Sequence, residues 1–198
     1  MATPTVNFLS YNSTGMNSIK ADWIRNVCKI AKIDCFSIQE HFKKINSDKF
    51  FKDYFSDFSS YVIPAFRTIN QDTGRPKGGL AQMLGKTLNI KIDRVKTTSF
   101  RIQAQVLSFP STRLLWINTY FPNDPLTLLF DDQDLNDLLG EIENILDTNE
   151  FDDVLWQGDL NWDMTRTSGF STRMKQFLEN LGLVSVWDQH PIGYTHIH

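Results

Sequence analysis

The chain has 198 residues, 41% of them apolar and 22% charged, and a formal net charge of −3. That composition excludes a disordered or fibrous chain and suits one globular domain with a sizeable core. The acidic balance also excludes a dedicated basic nucleic-acid binder, so any phosphate-backbone contact must come from a local basic surface or from a larger protein to which this piece belongs.

Taken in chain order, Thr5 to Ser10 reads as a short strand that runs into the polar loop Tyr11-Asn12-Ser13-Thr14-Gly15-Met16. A helix is predicted from Ser18 to about Ile33, with Ile19, Trp23, Val27, Ile30 and Ala31 as its apolar face. Cys35 to Ile38 is an apolar run that ends abruptly in Gln39-Glu40-His41, the pattern of a buried strand reaching a polar cleft.

The middle is strand-rich. Strands are predicted at Ser60–Ile63, Gly79–Leu84, Ile102–Phe109 and Leu114–Tyr120, the last two joined through a turn at Pro110-Ser111-Thr112. Arg67 to Gly78 reads as an exposed loop. Asp131 to Leu146 is predicted helical, with Leu135, Leu138, Leu139, Ile142 and Ile145 on one face and Asp131-Asp132 at the favourable N-terminus. Val154-Leu155-Trp156 is a strand that leads into Gly158-Asp159-Leu160-Asn161. Thr172–Leu181 is a helix stopped by Gly182, and Leu183–Trp187 is read as a further strand. Mixed hairpins and helical crossovers favour an α+β sandwich over a pure parallel sheet.

The cysteines, Cys28 and Cys35, lack zinc spacing and read as buried reduced thiols. No apolar run approaches the ~18 residues of a membrane span. The start Met1-Ala2-Thr3-Pro4-Thr5 lacks the pattern of a signal peptide. An intracellular chain away from membranes is the expectation.

Candidate chemistry gathers at strand ends. Glu40 follows a buried strand directly, where clefts form; alone it reads more simply as a surface acid in a loop. Gly158 permits a sharp turn, and Asp159 and Asn161, two apart, would face one way in an extended segment; alone they read as an Asx turn. Asn12 and Tyr120 end two further strands, the latter able to donate to a phosphate oxygen. Carboxylates and amides without nitrogen or sulfur ligands suit Mg²⁺ or Mn²⁺ rather than zinc. Gly78-Gly79 beside Lys77 reads as a strand entry or a phosphate cradle. Arg67, Arg75, Lys77, Arg166 and Arg173 are candidate backbone contacts, with a solvated surface as the simpler alternative.

In order, Asn12, Gln39-Glu40, Tyr120 with Pro122-Asn123, Gly158-Asp159-Leu160-Asn161 and Thr195 resemble the motifs of the endonuclease/exonuclease/phosphatase superfamily. Ser10 to Met16, Gln39-Glu40-His41 and Tyr194-Thr195-His196 resemble most the apurinic-endonuclease-like endonuclease domain of LINE-type (non-LTR) retrotransposons. The resemblance implies an α/β fold of the DNase I-like kind, a four-layer α/β sandwich of two packed mixed β-sheets flanked by helices, over residues 1–198. It implies a Mg²⁺-dependent endonuclease, with Mn²⁺ as a substitute ion, that nicks double-stranded DNA in the nucleus. The 3′-hydroxyl would prime a reverse transcriptase to which the domain is fused or from which it derives. The residue roles it implies are Glu40 as metal ligand, Asn12 placing metal or phosphate, Tyr120 bonding the scissile phosphate and Asp159 orienting water. Asn161 would hold the phosphate, Thr195 would support it, and Arg166 would touch the nucleic acid.

The family closes its site with a late Asp-His segment. No Asp-His pair occurs among the 198 residues, whose histidines are His41, His190, His196 and His198. The expectation is a domain incomplete at its C-terminus, its last strands missing, with a metal site and little or no nuclease activity. The alternatives are a phosphatase or phospholipase of the same fold, and a catalytically dead remnant or binding module.

Overall fold

The computed structural model describes residues 5–44, 46–66, 76–122, 133–163, 165 and 167–185. The Arg67–Arg75 stretch, Asn123, Asp131-Asp132, Arg166, Trp187, Thr195 and the three late histidines lie outside the described residues.

The elements run β1 (Phe8–Asn12), α1 (Ser18–Ile30), β2 (Cys35–Gln39), α2 (Ser47–Tyr54), β3 (Phe58–Ile63), β4 (Leu80–Gly85), β5 (Lys91–Val95), β6 (Ile102–Ser108), β7 (Arg113–Tyr120), α3 (Gln133–Thr148), β8 (Asp153–Asp159) and α4 (Gly169–Asn180). They build two mixed four-stranded sheets, ordered β1-β2-β4-β3 and β5-β6-β7-β8. In each sheet one outer pair is parallel, β1 with β2 and β7 with β8, and the other pairings are antiparallel. Across the sandwich β1 faces β8 and β2 faces β7.

Strand alternation builds the layers. Phe36 and Ile38 of β2, with Ala81 and Met83 of β4, point outward onto α1 and α2. Ile102, Ala104, Val106, Leu115 and Ile117 point outward from the other sheet onto α3 and α4. The expected α3 face, Leu135, Leu138, Leu139, Ile142 and Ile145, is fully confirmed as buried. This is the four-layer sandwich.

The layer between the sheets changes character along the strands. At one end it is apolar, with Cys35, Leu84, Leu107 and Trp116 buried and Phe8 edge-on to Trp116. Towards the ends of β1, β2, β7 and β8 it turns polar. Gln39 Nε2 donates to Asn118 Oδ1 at 2.7 Å, and Asn118 Nδ2 to Gln103 Oε1 at 3.2 Å. Gln157 Nε2 reaches Ser37 Oγ at 2.5 Å and the Leu9 carbonyl at 3.1 Å. Leaving any such buried group unpaired would cost ~1–3 kcal/mol, so this polar belt ties the sheets into one register.

Three expectations are corrected. Helix α1 buries Ala21, Ile24 and Cys28, not the predicted stripe. Ile19 and Ile30 are 77% and 82% exposed, and Trp23 lies half exposed against Tyr11. Both stripes have helical spacing; the sheet face, crowded by Phe36, Phe51 and Phe55, takes the one with smaller side chains. Leu183 to Ser185 form no strand. Helix α2 and strand β5 are additional elements: α2 is only 8 residues, and β5 is a polar edge strand without an apolar run.

Candidate active site

The polar belt opens at a rim where four strands end. In the register of the parallel pairs, Asn12 stands beside Gln39 and Tyr120 beside Asp159. Glu40 follows β2 directly. The structure therefore brings Asn12, Glu40, Tyr120 and Asp159 to one end of the sandwich.

Glu40 adopts a left-handed backbone, φ 52°. That conformation costs a non-glycine residue ~1–2 kcal/mol and persists only where neighbours enforce it. The loop after β1 does so: Ser13 N–H donates to the Gln39 carbonyl, Gly15 N–H to that of Glu40 at 2.7 Å, and Met16 N–H to that of His41. The Glu40 carboxylate accepts from the Tyr120 hydroxyl. Burial, and then this carboxylate, push the Tyr120 phenol well above its ordinary range, so it remains a proton-bearing donor.

Asp159 is held from two sides. Asn12 Nδ2 donates to its Oδ2 at 2.5 Å, and the Asn161 backbone N–H to its Oδ1 at 3.1 Å. Asn12 is itself oriented by the Thr14 N–H, which donates to its Oδ1 at 2.9 Å. Gly158 has φ 144°, and a Cβ there would run into the Thr119 backbone. Glycine is required for β8 to lie this close to β7.

The Asp159–Asn161 segment is not extended. Asn161 has φ 48°, and its side-chain amide donates to the Phe121 carbonyl at 2.8 Å. The two side chains are therefore linked through an Asx turn and the neighbouring strand end, rather than by simple alternation. Trp156 Nε1 bonds Thr119 Oγ1 and Trp162 Nε1 bonds Ser171 Oγ, each at 2.9 Å, fastening both sides of the loop.

His41 is fully buried. Its Nδ1 accepts from the Lys43 N–H at 3.0 Å and its Nε2 meets the Ile63 carbonyl at 3.1 Å. Burial lowers its pKa to about 4. The ring is neutral, with both nitrogens engaged. It packs against Gly79, where a Cβ would come within 2.5 Å of it. Gly78 and Gly79 thus serve as a strand entry packed under Phe66 and His41. Lys77 and Arg173 are exposed.

Several contributors had no sequence signal of their own. Phe121 is buried; its N–H donates to the Asp159 carbonyl at 2.8 Å and its carbonyl takes Asn161. Arg101 Nη1 reaches the Tyr120 carbonyl at 3.4 Å, with the guanidinium 5.4 Å from the Tyr120 ring. Only the tertiary fold places either beside the rim.

No group of three or more His, Cys, Asp or Glu gathers among the described residues. Closed zinc-type coordination is therefore a poor fit to them. An oxygen-only set led by Glu40, with Asp159 nearby, fits an ion that keeps most of its own water, as Mg²⁺ does.

The chain is similar in structure to the endonuclease domain of TRAS1, a telomere-specific non-LTR retrotransposon. The TM-score is 0.63 at 14% identity, over 90% of this chain and 73% of that one. It is similar to the AP endonuclease LMAP from Leishmania major, with TM-score 0.69 at 16% identity, over 93% and 69%. The human Nocturnin catalytic domain gives 0.64 at 15%, over 92% and 72%. The fold is DNase I-like, two packed mixed sheets flanked by helices. At these identities the likeness is one of fold. No protein-family model and no curated protein matches the sequence. Within the DNase I-like fold, the rim described above lies where the strand ends of both sheets converge. Among the described residues, no helix is long and apolar enough to cross a membrane.

Proposed function

We propose that this chain is a Mg²⁺-dependent DNA phosphodiesterase, an endonuclease domain that nicks double-stranded DNA. The observation that carries the reading is the pair of contacts at the rim, Asn12 to Asp159 and Tyr120 to Glu40, which joins both sheets around two carboxylates. The fold likeness to the TRAS1 endonuclease domain and to an AP endonuclease supports DNA as substrate. The retrotransposon reading adds that the nick primes reverse transcription, in the nucleus and within a larger polyprotein.

Glu40 would hold the ion, with Mn²⁺ as a substitute for Mg²⁺. When bound, the metal stabilises charge on the phosphoryl oxygens and lowers the pKa of the attacking water. With Glu40 turned to the ion, the Tyr120 hydroxyl would be released from that carboxylate to donate a hydrogen bond to a phosphate oxygen. Asp159, aimed by Asn12 and by the Asn161 N–H, orients the attacking water and accepts its proton. Asn161 acts by fixing this loop on Phe121. Asn12 also lies close enough to the rim to place the phosphate. Thr195 supporting the phosphate and Arg166 on the DNA strand complete the reading from the sequence.

Hydrolysis breaks the bond from phosphorus to the 3′ oxygen, which takes a proton and leaves as a hydroxyl. His41 cannot supply that proton, because both its ring nitrogens are engaged. A missing general acid lowers a rate by ~10²–10⁴, and His41, the one histidine among the described residues, is not that acid, so slow nicking is expected. The test is incubation of supercoiled plasmid, abasic duplex and phosphoinositide with the chain and Mg²⁺. Slow nicking whose ends a polymerase extends directly, lost in Glu40→Gln, supports the reading. Phosphoinositide hydrolysis without nicking overturns it in favour of a phosphatase of the same fold.

A further inference from the structure

Phe100 is a large apolar side chain left 40% exposed, and it is exposed on a braced loop. Glu141 of α3 holds the two preceding residues. Thr98 N–H and Oγ1 donate to its carboxylate at 2.5 and 2.9 Å, and Ser99 N–H donates at 3.0 and 3.2 Å. Ser99 Oγ then accepts from the Arg101 N–H at 3.0 Å. Five hydrogen bonds therefore fix a loop whose tip presents a phenyl ring to solvent.

That ring does not stand alone. Phe66 lies against it, with ring centroids 3.7 Å apart. The Arg101 guanidinium sits between aromatic faces, 5.5 Å from the Phe100 ring and 5.4 Å from the Tyr120 ring. Gly78 packs beneath Phe66 and beside Tyr120, and Tyr120 bonds Glu40. A continuous surface therefore runs from the candidate metal ligand through Tyr120 and Arg101 to Phe100. Among the described residues, no carboxylate forms an ion pair with Arg101.

We propose that Phe100, backed by Phe66 and flanked by Arg101, is a nucleotide-stacking subsite that takes a base of the strand beside the scissile phosphodiester. Aromatic faces stack on any base, and an adjacent cation meets the phosphate that the same nucleotide carries. The arrangement suits this occupant: Arg101 links the Tyr120 ring at 5.4 Å to the Phe100 ring at 5.5 Å, so a strand whose phosphodiester lies at the Tyr120 end would bring a neighbouring base towards Phe100. Such a base must be unstacked from its neighbours. The preferred ligand is therefore an unpaired or easily opened nucleotide rather than a rigid duplex or a small phosphate ester. The inference rests on the phosphodiesterase reading of the rim and narrows its substrate.

The test uses the whole 198-residue chain, with Ca²⁺ in place of Mg²⁺, and a short DNA duplex carrying one unpaired 2-aminopurine. Binding is expected to quench the 2-aminopurine. Phe100→Ala should weaken binding about tenfold and abolish the quench. Phe100→Leu should behave like alanine, although it keeps the apolar contact with Phe66, and Phe100→Trp should restore the quench. Arg101→Ala should lower the salt dependence of binding by about one released ion. If Phe100→Ala and Phe100→Leu both bind with the quench intact, or if the unsubstituted chain does not bind the probe, the subsite is overturned. Mg²⁺-dependent plasmid nicking, measured in parallel, decides the phosphodiesterase reading separately.

Discussion

Asn12 and Asp159 lie 147 residues apart in sequence and meet through a 2.5 Å hydrogen bond. The contact joins the last residue of β1 to the last residue of β8, and so the two sheets to each other. A donor to a carboxylate contributes ~1.5–3 kcal/mol. Replacing Asn12 with alanine should therefore lower any metal-dependent phosphodiester turnover by ~10–100-fold. The effect should fall on kcat more than on KM, and steady-state kinetics on a nickable oligonucleotide would check it.

The left-handed backbone of Glu40 separates stability from function. Glycine accepts φ 52° without strain, whereas glutamine keeps the strain and loses the charge. Glu40→Gly should be more stable than Glu40→Gln by ~1 kcal/mol, while both lose metal binding. Urea unfolding of the two variants side by side measures the difference.

Gly158→Ala should destabilise the fold by ~3 kcal/mol or more, because the added methyl meets the Thr119 backbone rather than a movable side chain. Gly79→Ala should also destabilise, through its φ of 92° and the His41 ring 2.5 Å from the added methyl, but less than Gly158→Ala, because its obstacle is a side chain rather than backbone. Thermal unfolding of both variants ranks the two sites.

His41 makes stability depend on pH. Its folded-state pKa is lowered from 6.5 to about 4. The unfolded chain therefore binds the proton first, and the contribution of the neutral ring is complete above pH ~6.5 and lost as pH falls towards ~4. A shift of this size corresponds to ~3 kcal/mol. Urea unfolding in metal-free buffer at both ends of that window should show a smaller pH difference for His41→Gln than for the unsubstituted chain.

The strand-end positions of Asn12, Glu40, Tyr120 and Asp159 were legible because a buried run that stops at a polar residue marks a cleft. Asx-turn chemistry around Asp159 was legible too, but not its partner, since nothing local links Asn161 to Phe121. The polar belt of Ser37, Gln39, Gln103, Asn118 and Gln157 was hidden. Each of these reads singly as a solvent-facing position, and only sheet-on-sheet packing buries them together. The α1 face misled because that helix carries apolar residues on two sides, and the choice between them depends on the bulk of Phe36, Phe51 and Phe55 below. Arg101 and Phe100 carried no motif; their place beside Tyr120 comes from the β6–β7 pairing.

The most direct test of the rim as a metal site is a Mn²⁺ titration of the whole chain followed by electron paramagnetic resonance, with Mg²⁺ as competitor. The expected result is one bound ion per chain, displaced by Mg²⁺, weakened at least ~10-fold in Glu40→Gln and less in Asp159→Asn. Mn²⁺ binding that is unchanged in Glu40→Gln, or absent from the unsubstituted chain, would contradict the account.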